Sequence, residues 1–173
     1  MIIIYNSSTP VVARNYGADK VAPNSPQQVI AGRANVLDGD TLIINRVHIR
    51  LFAIDAPEME QVCAGPNNPR WRCGLSARKQ LAAAIAQQIV TCRGRAIDDY
   101  KRLVAVCFTA SAGGQDIDLN QFMVAEGWAM AYRRFSTIYV AHEERAHTAK
   151  LGLWASQFMP PWEWRRRQHK PRH

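Results

Sequence analysis

Two short apolar runs on either side of Asn45-Arg46 place the strongest constraint on how this chain folds. Residues 41–44 and 47–54 are rich in aliphatic side chains, and a polar pair between two such runs is typical of a β-turn. The second run alternates: Val47, Ile49, Leu51 and Ala53 share one face, and His48 and Arg50 the other. The pattern predicts a hairpin with one buried face, with Arg50 pointing away from that face.

The remaining apolar periodicity predicts three more strands and about three helices. We expect strands over residues 28–37, 89–97 and 103–109, and helices over residues 74–88 and 137–150. Asp118 with Gln121 three positions later predicts a helix start, and Gly127 predicts its end. Together these elements predict an α+β fold built on a five-stranded Greek-key β-barrel of the oligonucleotide-binding type.

The size and charge of the chain narrow its class and its partners. Its 173 residues suit one domain with an adequate core. A net charge of +8 and a pI of about 9.7 favour an anionic partner, with nucleic acid first and an acidic membrane surface second. No apolar run approaches the ~18 residues of a membrane span, so we predict none.

The two ends of the chain differ in composition from the middle. We divide it into an arm or linker at residues 1–27, a domain at residues 28–159 and a basic tail at residues 160–173. Met1-Ile2-Ile3-Ile4-Tyr5 is too short for the apolar part of a signal peptide; an export signal was either removed or never existed. Two interpretations of the tail stay open. In one, its tryptophans stack on bases while its basic residues neutralise phosphates; in the other, the tryptophans pack on the barrel and leave the basic end solvated. The residues concerned are Trp162, Trp164, Arg165, Arg166, Arg167, Lys170 and Arg172.

Four cysteines favour an oxidising compartment. Cys63 and Cys73 flank a loop of turn residues whose ends can meet, and Cys92 and Cys107 lie in two strand-like runs at equal distances from a turn centred on Asp99-Tyr100. We therefore expect the disulfides Cys63–Cys73 and Cys92–Cys107, and an extracytoplasmic location, periplasmic or secreted. Free thiols or a zinc site remain alternatives, although no two cysteines have the short spacing typical of structural zinc.

A cluster of acidic residues with one arginine indicates phosphodiester chemistry. Asp38-Gly39-Asp40-Thr41 precedes the strand that carries Arg50, and Asp55 and Glu58 follow it. Carboxylates supply the oxygen ligands that calcium prefers, and a guanidinium holds a phosphate through two parallel hydrogen bonds. Each part alone has an ordinary interpretation as a turn or a strand end. The spacing does not fit an EF-hand, because Ile43 and Ile49 stand where that loop needs glycine and glutamate.

The order of the motifs resembles the staphylococcal nuclease (thermonuclease) family over residues 28–155. After the acidic cluster come Asp99-Tyr100-Lys101-Arg102-Leu103-Val104-Ala105, then Leu119-Asn120 to Val124, Gly127 and Ala129 to Tyr132, and finally Glu143 to Gly152-Leu153-Trp154. The resemblance implies a calcium-dependent endonuclease that hydrolyses DNA and RNA with low sequence specificity and leaves 3′-phosphates.

The resemblance also implies roles for individual residues. Asp40, Asp55 and the main-chain carbonyl of Ala56 would bind one Ca²⁺ ion, and Asp38 and Glu58 would hold its water molecules. Glu58 would also act as the general base. Arg50 and Arg102 would stabilise charge on the phosphate, with Arg102 near the leaving oxygen.

Aromatic and basic residues complete the expected substrate site. Tyr100 and Tyr132 match positions that line the nucleotide pocket in the family, although each also suits an ordinary strand-edge tyrosine. Lys101 replaces the usual glycine before Arg102, which adds positive charge for nucleotide binding and could alter the turn. The expected substrate is single-stranded or locally melted DNA and RNA.

Two other classes of function stay open. One is a barrel of the same fold that has lost catalysis and binds nucleic acid or a protein; such modules usually lose the acids or arginines, which are all present here. The other is a structural or envelope protein. A histidine-centred nuclease is not indicated, because His48, His142 and His147 lack a partnered ligand set. We expect a monomer.

Overall fold

The strands of this protein close into a small barrel. The computed structural model describes residues 26–65, 69–110 and 116–168. The strands in chain order are β1 (Gln28–Val36), β2 (Thr41–Ile44), β3 (Val47–Leu51), β4 (Ile54–Asp55), β5 (Cys63–Ala64), β6 (Arg70–Trp71), β7 (Ile89–Ile97), β8 (Leu103–Ala110), β9 (Asp116–Asp118) and β10 (Met130–Ala131). Sheet order is β3-β2-β1-β7-β8-β9, and a parallel pairing of β3 with β8 closes the first five strands. The predicted five-stranded barrel is confirmed.

The hairpin of β2 and β3 has the predicted turn, but β3 is shorter than predicted. Asn45 and Arg46 have φ angles of 49° and 68°, the left-handed pair that a tight hairpin turn requires. The prediction that the strand runs to residue 54 is wrong. Ala53 has a φ of 60°, which breaks the strand after Leu51, and the chain then pairs as β4 with β10. This turn returns Asp55 towards Arg50.

The described part of the chain has four α-helices beside the barrel: α1 (Cys73–Ile85), α2 (Leu119–Ala125), α3 (Val140–Thr148) and α4 (Pro161–Gln168), with a 3₁₀ turn at Gly152–Ala155. The start of α2 is as predicted, since the Asp118 carboxylate accepts from the backbone N–H of Gln121 at 2.9 Å. Gly127, with a φ of 73°, follows the end of this helix. α1 and α3 are shorter than predicted, and α4 was not predicted as a helix.

Aliphatic side chains fill the barrel. Alternate residues of its strands are almost wholly inaccessible to solvent, including Leu42, Ile44, Ile49, Val90 and Leu103. Burying such a side chain contributes about 1.5–3 kcal/mol each. The closed barrel is therefore a rigid support for the loops at its rim.

Asn120 is the buried polar link between α2 and the barrel. Its amide donates to the backbone carbonyls of Phe52 and Ala105 at 2.9 and 3.2 Å, and its carbonyl accepts from the N–H of Cys107 at 3.1 Å. Because the side chain is fully buried, these bonds are needed to offset its desolvation. They hold the Phe52 turn against β8.

Both predicted disulfides are present. Cys92 and Cys107 lie directly opposite each other on β7 and β8, with Cα atoms 4.0 Å apart. Cys63 and Cys73 join β5 to the start of α1, with Cα atoms 5.7 Å apart. The disulfides suggest an oxidising environment.

Parts of the predicted arm and tail lie outside the described residues. The arm falls there up to residue 25, and so does the tail after Gln168, including Lys170 and Arg172. Among the described helices, none is long and apolar enough to cross a membrane.

Candidate active site

A cavity of about 560 Å³ opens at the rim of the barrel, where five separate parts of the chain meet. Its lining comes from the turn before β2, the segment from β3 to just after β4, the β7–β8 turn, the segment after β10, and α4. The sequence-predicted residues that line it are Asp38, Asp40, Arg50, Ala56, Glu58, Tyr100, Arg102 and Tyr132.

The Asp38-Gly39-Asp40 turn is held tightly against the chain after β4. The Asp38 carboxylate accepts from the N–H of Asp40 at 2.9 Å, and the Asp40 carboxylate accepts from the N–H of Ala56 at 2.9 Å. Gly39 allows this approach, because a Cβ atom there would lie 2.6 Å from the Cβ of Ala56. Asp40 is therefore fixed in place by backbone contacts.

Arg50 bridges the two carboxylates predicted to bind metal. Its guanidinium donates to Asp40 at 2.6 Å and to Asp55 at 2.8 Å. The Arg50 side chain is 17% exposed, while that of Asp55 is fully buried. Burial lowers the pKa of Arg50, but the attraction of Asp40 and Asp55 outweighs burial and raises it. Arg50 is thus a permanent cation at the floor of the cavity.

Negative charge is concentrated on this side of the cavity. Burial is the larger cause and repulsion from Asp40 the smaller one, and together they raise the pKa of Asp38 to about 7. Burial also raises the pKa of Asp55, although hydrogen bonds from Arg165 and the charge of Arg50 oppose the shift. Closely spaced acids of this kind favour a site that holds positive charge.

Close backbone contacts hold the main chain of Glu58 in place. Its carbonyl accepts from the N–H of Gln61 at 2.8 Å. Gly74 packs so closely that a Cβ atom there would lie 1.7 Å from the Glu58 carbonyl oxygen. Because Gly74 follows Cys73, the Cys63–Cys73 disulfide secures this contact.

Arg165 of α4 enters the acidic side of the cavity. Its guanidinium donates to both carboxylate oxygens of Asp55, at 3.0 and 2.8 Å, and to Glu58 at 2.7 Å. Burial lowers the pKa of Arg165, but these hydrogen bonds and charges raise it overall. The tail therefore contributes a residue to the site itself.

Arg102 faces the same cavity from the β7–β8 turn. The Asp98 carboxylate accepts from the Arg102 Nε at 2.8 Å and from its backbone N–H at 2.9 Å. Lys101 adopts a φ of 64°, so it takes the left-handed conformation that suits glycine. Tyr100 is 81% exposed, and the Arg102 guanidinium lies 5.3 Å from its ring centre.

An aromatic group closes the other side of the cavity. The ring of Tyr132 stacks in parallel on Trp162 of α4, with centroids 5.7 Å apart, and contacts Phe135 edge-on at 4.9 Å. The N–H of Tyr132 donates to the carbonyl of Ala53 at 2.8 Å, which fixes it beside the β3–β4 turn. Trp162 follows the second interpretation of the tail, in which tryptophans pack on the barrel.

The structure brings together most of the residues predicted to form the site. Lys101 is exposed and does not line the cavity, and Asp55 lies buried beneath Arg50 and Arg165. Sequence reasoning missed Asp98 and assigned Arg165 only to a basic tail. Asp98 directly precedes the motif that contains Arg102, four residues before it, so the sequence could have indicated this ion pair. No pattern in the sequence relates Arg165 to Asp55.

Asp40 and Asp55 supply the carboxylate oxygens that a hard cation prefers, and in this structure both carboxylates accept hydrogen bonds from arginine. Asp40 and Asp55 are buried carboxylates that converge on the same guanidinium, so positive charge already lies between them. Across the described ranges, no group of three Asp, Glu, His or Cys side chains is placed to hold a metal ion. Any further ligands would therefore be backbone carbonyls or water.

Comparison with known proteins agrees with this geometry. The family described as "Staphylococcal nuclease homologue" matches residues 48–156. The chain is 35% identical to the micrococcal nuclease of Shigella flexneri over 144 residues, covering 76% of this chain and 77% of that protein. It is 32% identical to an uncharacterized endonuclease of Escherichia coli O157:H7 over 147 residues, covering 80% and 87%.

Another relative carries a different name. The succinoglycan biosynthesis protein ExoI of Rhizobium meliloti (strain 1021) is 32% identical over 130 residues, which cover 74% of this chain and 66% of that protein, just under two thirds of its length. The nuclease relatives support a hydrolase that acts on nucleic acid. With more than half of its length matched by one family, the chain belongs to the staphylococcal nuclease homologues.

Proposed function

We propose that this protein is a calcium-dependent endonuclease that hydrolyses DNA and RNA with low sequence specificity and leaves 3′-phosphate ends. The observation that carries the proposal is one cavity lined by the buried Asp40, by Arg50 and Arg102 and by the Glu58 carboxylate, with Asp55 buried against Arg50. A strongly basic chain suits a polyanionic substrate.

Residues of the acidic side would bind one calcium ion. Asp40, Asp55 and the Ala56 carbonyl would be its ligands, with Asp38 holding a bound water. When bound, the ion polarises the phosphate and offsets its negative charge. Arg50 contacts the same two carboxylates, so its guanidinium would lie near a phosphate bound to the ion. There it would stabilise the negative charge that develops on the phosphate oxygens.

Glu58 would accept the proton of the attacking water, and the arginines would stabilise the charge on the phosphate. Water attacks phosphorus, its proton passes to Glu58, and the bond from phosphorus to the 5′-oxygen breaks. Arg102, oriented by Asp98, would donate a hydrogen bond to the departing oxygen, which takes up a proton from solvent as it leaves. Because phosphoryl transfer depends mainly on positioning and electrostatics, these groups suffice.

Tyr100 and Tyr132 would contact the sugar and base of a single-stranded or locally melted substrate. Lys101 lies outside the cavity on the exposed turn and would contact a neighbouring phosphate. We further propose a monomer in an extracytoplasmic compartment, with residues 28–159 as the nuclease domain between an arm and a basic tail. The two disulfides support that location.

Cleavage of single-stranded DNA and RNA tests the proposal. We expect activity with calcium, little with magnesium, which demands stricter octahedral geometry, and background activity with chelator. Products should become substrates for 3′ extension only after phosphatase treatment. Glu58→Gln is the matched control, because it keeps the side-chain shape and should bind substrate without cutting it.

Cleavage that persists in chelator would contradict the calcium assignment. Binding of single-stranded DNA without cleavage under every metal would favour the alternative of a nucleic-acid binding module.

A further inference from the structure

Helix α4 occupies the two places that a metal ion and a nucleotide would need. Arg165 makes three hydrogen bonds to Asp55 and Glu58, and both oxygens of the Asp55 carboxylate accept from it. Asp55 also accepts from Arg50. The carboxylate is therefore fully engaged by guanidinium groups, and a cation that binds Asp55 has to displace Arg165.

The same helix covers the aromatic side of the cavity. Trp162 lies one turn before Arg165 and stacks in parallel on Tyr132. Residues three apart on a helix share a face, so both contacts are made by one side of α4. A base that stacked on this face of Tyr132 would have to displace Trp162.

The chain just before α4 is firmly attached, whereas α4 itself is short. The side chain of Gln61, fully buried, donates to the carbonyl of Met159 at 2.7 Å. Gln157 and Ala64 exchange two backbone hydrogen bonds, at 2.7 and 2.9 Å. An eight-residue helix is only marginally stable without tertiary contacts, so α4 depends on its docking.

We propose that α4 is an internal inhibitor, in which Arg165 competes with calcium for Asp55 and Glu58 and Trp162 competes with the nucleotide for Tyr132. The inference rests on the calcium site of the proposed function. Attachment at Met159 keeps the guanidinium close to the carboxylates, so the competitor acts at a high effective concentration. Calcium then binds only to the undocked fraction of molecules, and its apparent affinity falls by that fraction.

Calcium titration by calorimetry without nucleic acid tests the proposal. We expect Arg165→Gln to bind calcium about tenfold more tightly than wild type. This is the change that results if α4 is docked in about nine-tenths of wild-type molecules and undocked in the variant. Arg166→Gln is the matched control, because it removes the same charge from an exposed position of the same helix and should leave the affinity unchanged.

A second variant separates competition from simple charge repulsion. Trp162→Ala removes the stack on Tyr132 without changing any charge, so competition predicts tighter calcium binding here too. Simple repulsion by Arg165 predicts no change, and that result would overturn the proposal. Calcium should also alter the tryptophan fluorescence of wild type, and this change should be smaller in Trp162→Phe.

Other results also contradict the proposal, and they can be told apart from failure of the proposed function. Equal calcium affinity in wild type and Arg165→Gln would overturn the inhibitor and leave a calcium nuclease standing. A loss of turnover in Arg165→Gln at saturating calcium would instead make Arg165 a phosphate-binding residue. Calcium binding by neither protein would overturn both.

Discussion

Arg50 and Arg102, the two arginines predicted to bind phosphate, are held by carboxylates in different ways, and this sets what each can do. Arg50 is shared between Asp40 and Asp55 at the floor of the cavity, where few water molecules screen its charge. Arg102 is held by Asp98 on the more open β7–β8 turn. Arg50 therefore supports the predicted metal ligands as well as the phosphate, whereas Arg102 is oriented by Asp98 for the phosphate alone.

Replacing Arg50 or Arg102 by alanine should lower kcat at least about a hundredfold, since each would stabilise transition-state charge. Lysine should recover little at either position, because it lacks the two parallel donors. Asp98→Asn should lower kcat less than Arg102→Ala, with KM nearly unchanged, because it disturbs only the orientation of Arg102. Steady-state kinetics on single-stranded DNA measures each effect.

Arg33→Ala is the control for these variants, since Arg33 lies exposed on β1 and outside the cavity lining. More than about a tenth of wild-type activity in either alanine variant would rule out its catalytic role.

Asp38 should make the stability of the metal-free protein fall with rising pH. Its pKa of about 7 in the folded state exceeds the ordinary value of 3.8, so the folded protein holds this proton more tightly. The stability that comes from this tightly held proton is fully present below about pH 4 and is lost as the pH rises through 7. Relative to Asp38→Asn, the free energy of unfolding should decline by at most about 1.4 kcal/mol per pH unit.

Urea unfolding in chelator between pH 4.5 and 8 measures this difference. Parallel pH profiles for wild type and Asp38→Asn would show that burial and repulsion from Asp40 do not raise the pKa of Asp38.

Among the elements, the start of α1 places Glu58 although it contributes no side chain to the cavity. Cys73 joins α1 to β5 through the disulfide, and Gly74 lies against the Glu58 backbone. Gln61 then connects the same segment to Met159, just before α4. A single short region thus sets the position of both the predicted general base and the helix that contacts it.

Gly74→Ala should displace Glu58 and lower both stability and activity. The added Cβ atom would meet backbone rather than a flexible side chain, so the Glu58 segment has to move, at a cost of about 1–3 kcal/mol. Gly65→Ala, just after β5, is the control, because its Cβ atom would come no closer than 3.4 Å to Pro69. Thermal unfolding and kcat should both separate the two variants.

At the scale of the whole molecule, the barrel depends on a closed ring of strands rather than on any single hairpin. The disulfide Cys92–Cys107 joins β7 to β8, and β8 also makes the parallel contact with β3 that completes the ring. A cross-link at this place restricts the unfolded chain while it fits the native register.

Replacing Cys92 and Cys107 together by alanine should lower the free energy of unfolding by about 2–4 kcal/mol. Replacing Cys63 and Cys73 should cost less, because they close a shorter loop, with a separation of 10 residues against 15. Urea unfolding measures both losses. A non-reduced digest analysed by mass spectrometry should show the two pairings, and four free thiols would contradict them.

The sequence by itself determined the barrel, both disulfides and most of the cavity lining. The barrel and the disulfides depend on local signals: alternation along β3, a turn pair at Asn45-Arg46, and cysteines at equal distances from one turn. The lining residues were predicted from the resemblance of the ordered motifs to one family. Local patterns carry this information because neighbouring residues in a strand or hairpin have a nearly fixed geometry.

Only the tertiary structure decided where the β3 strand ends and where α4 lies. The break at Ala53 arises because β4 pairs with the distant β10, and no pattern within residues 47–54 records that partner. Arg165 meets Asp55 across a separation of 110 residues. Contacts between remote segments depend on how the closed barrel orients its loops, which is why the tail could be identified as basic but not placed in the site.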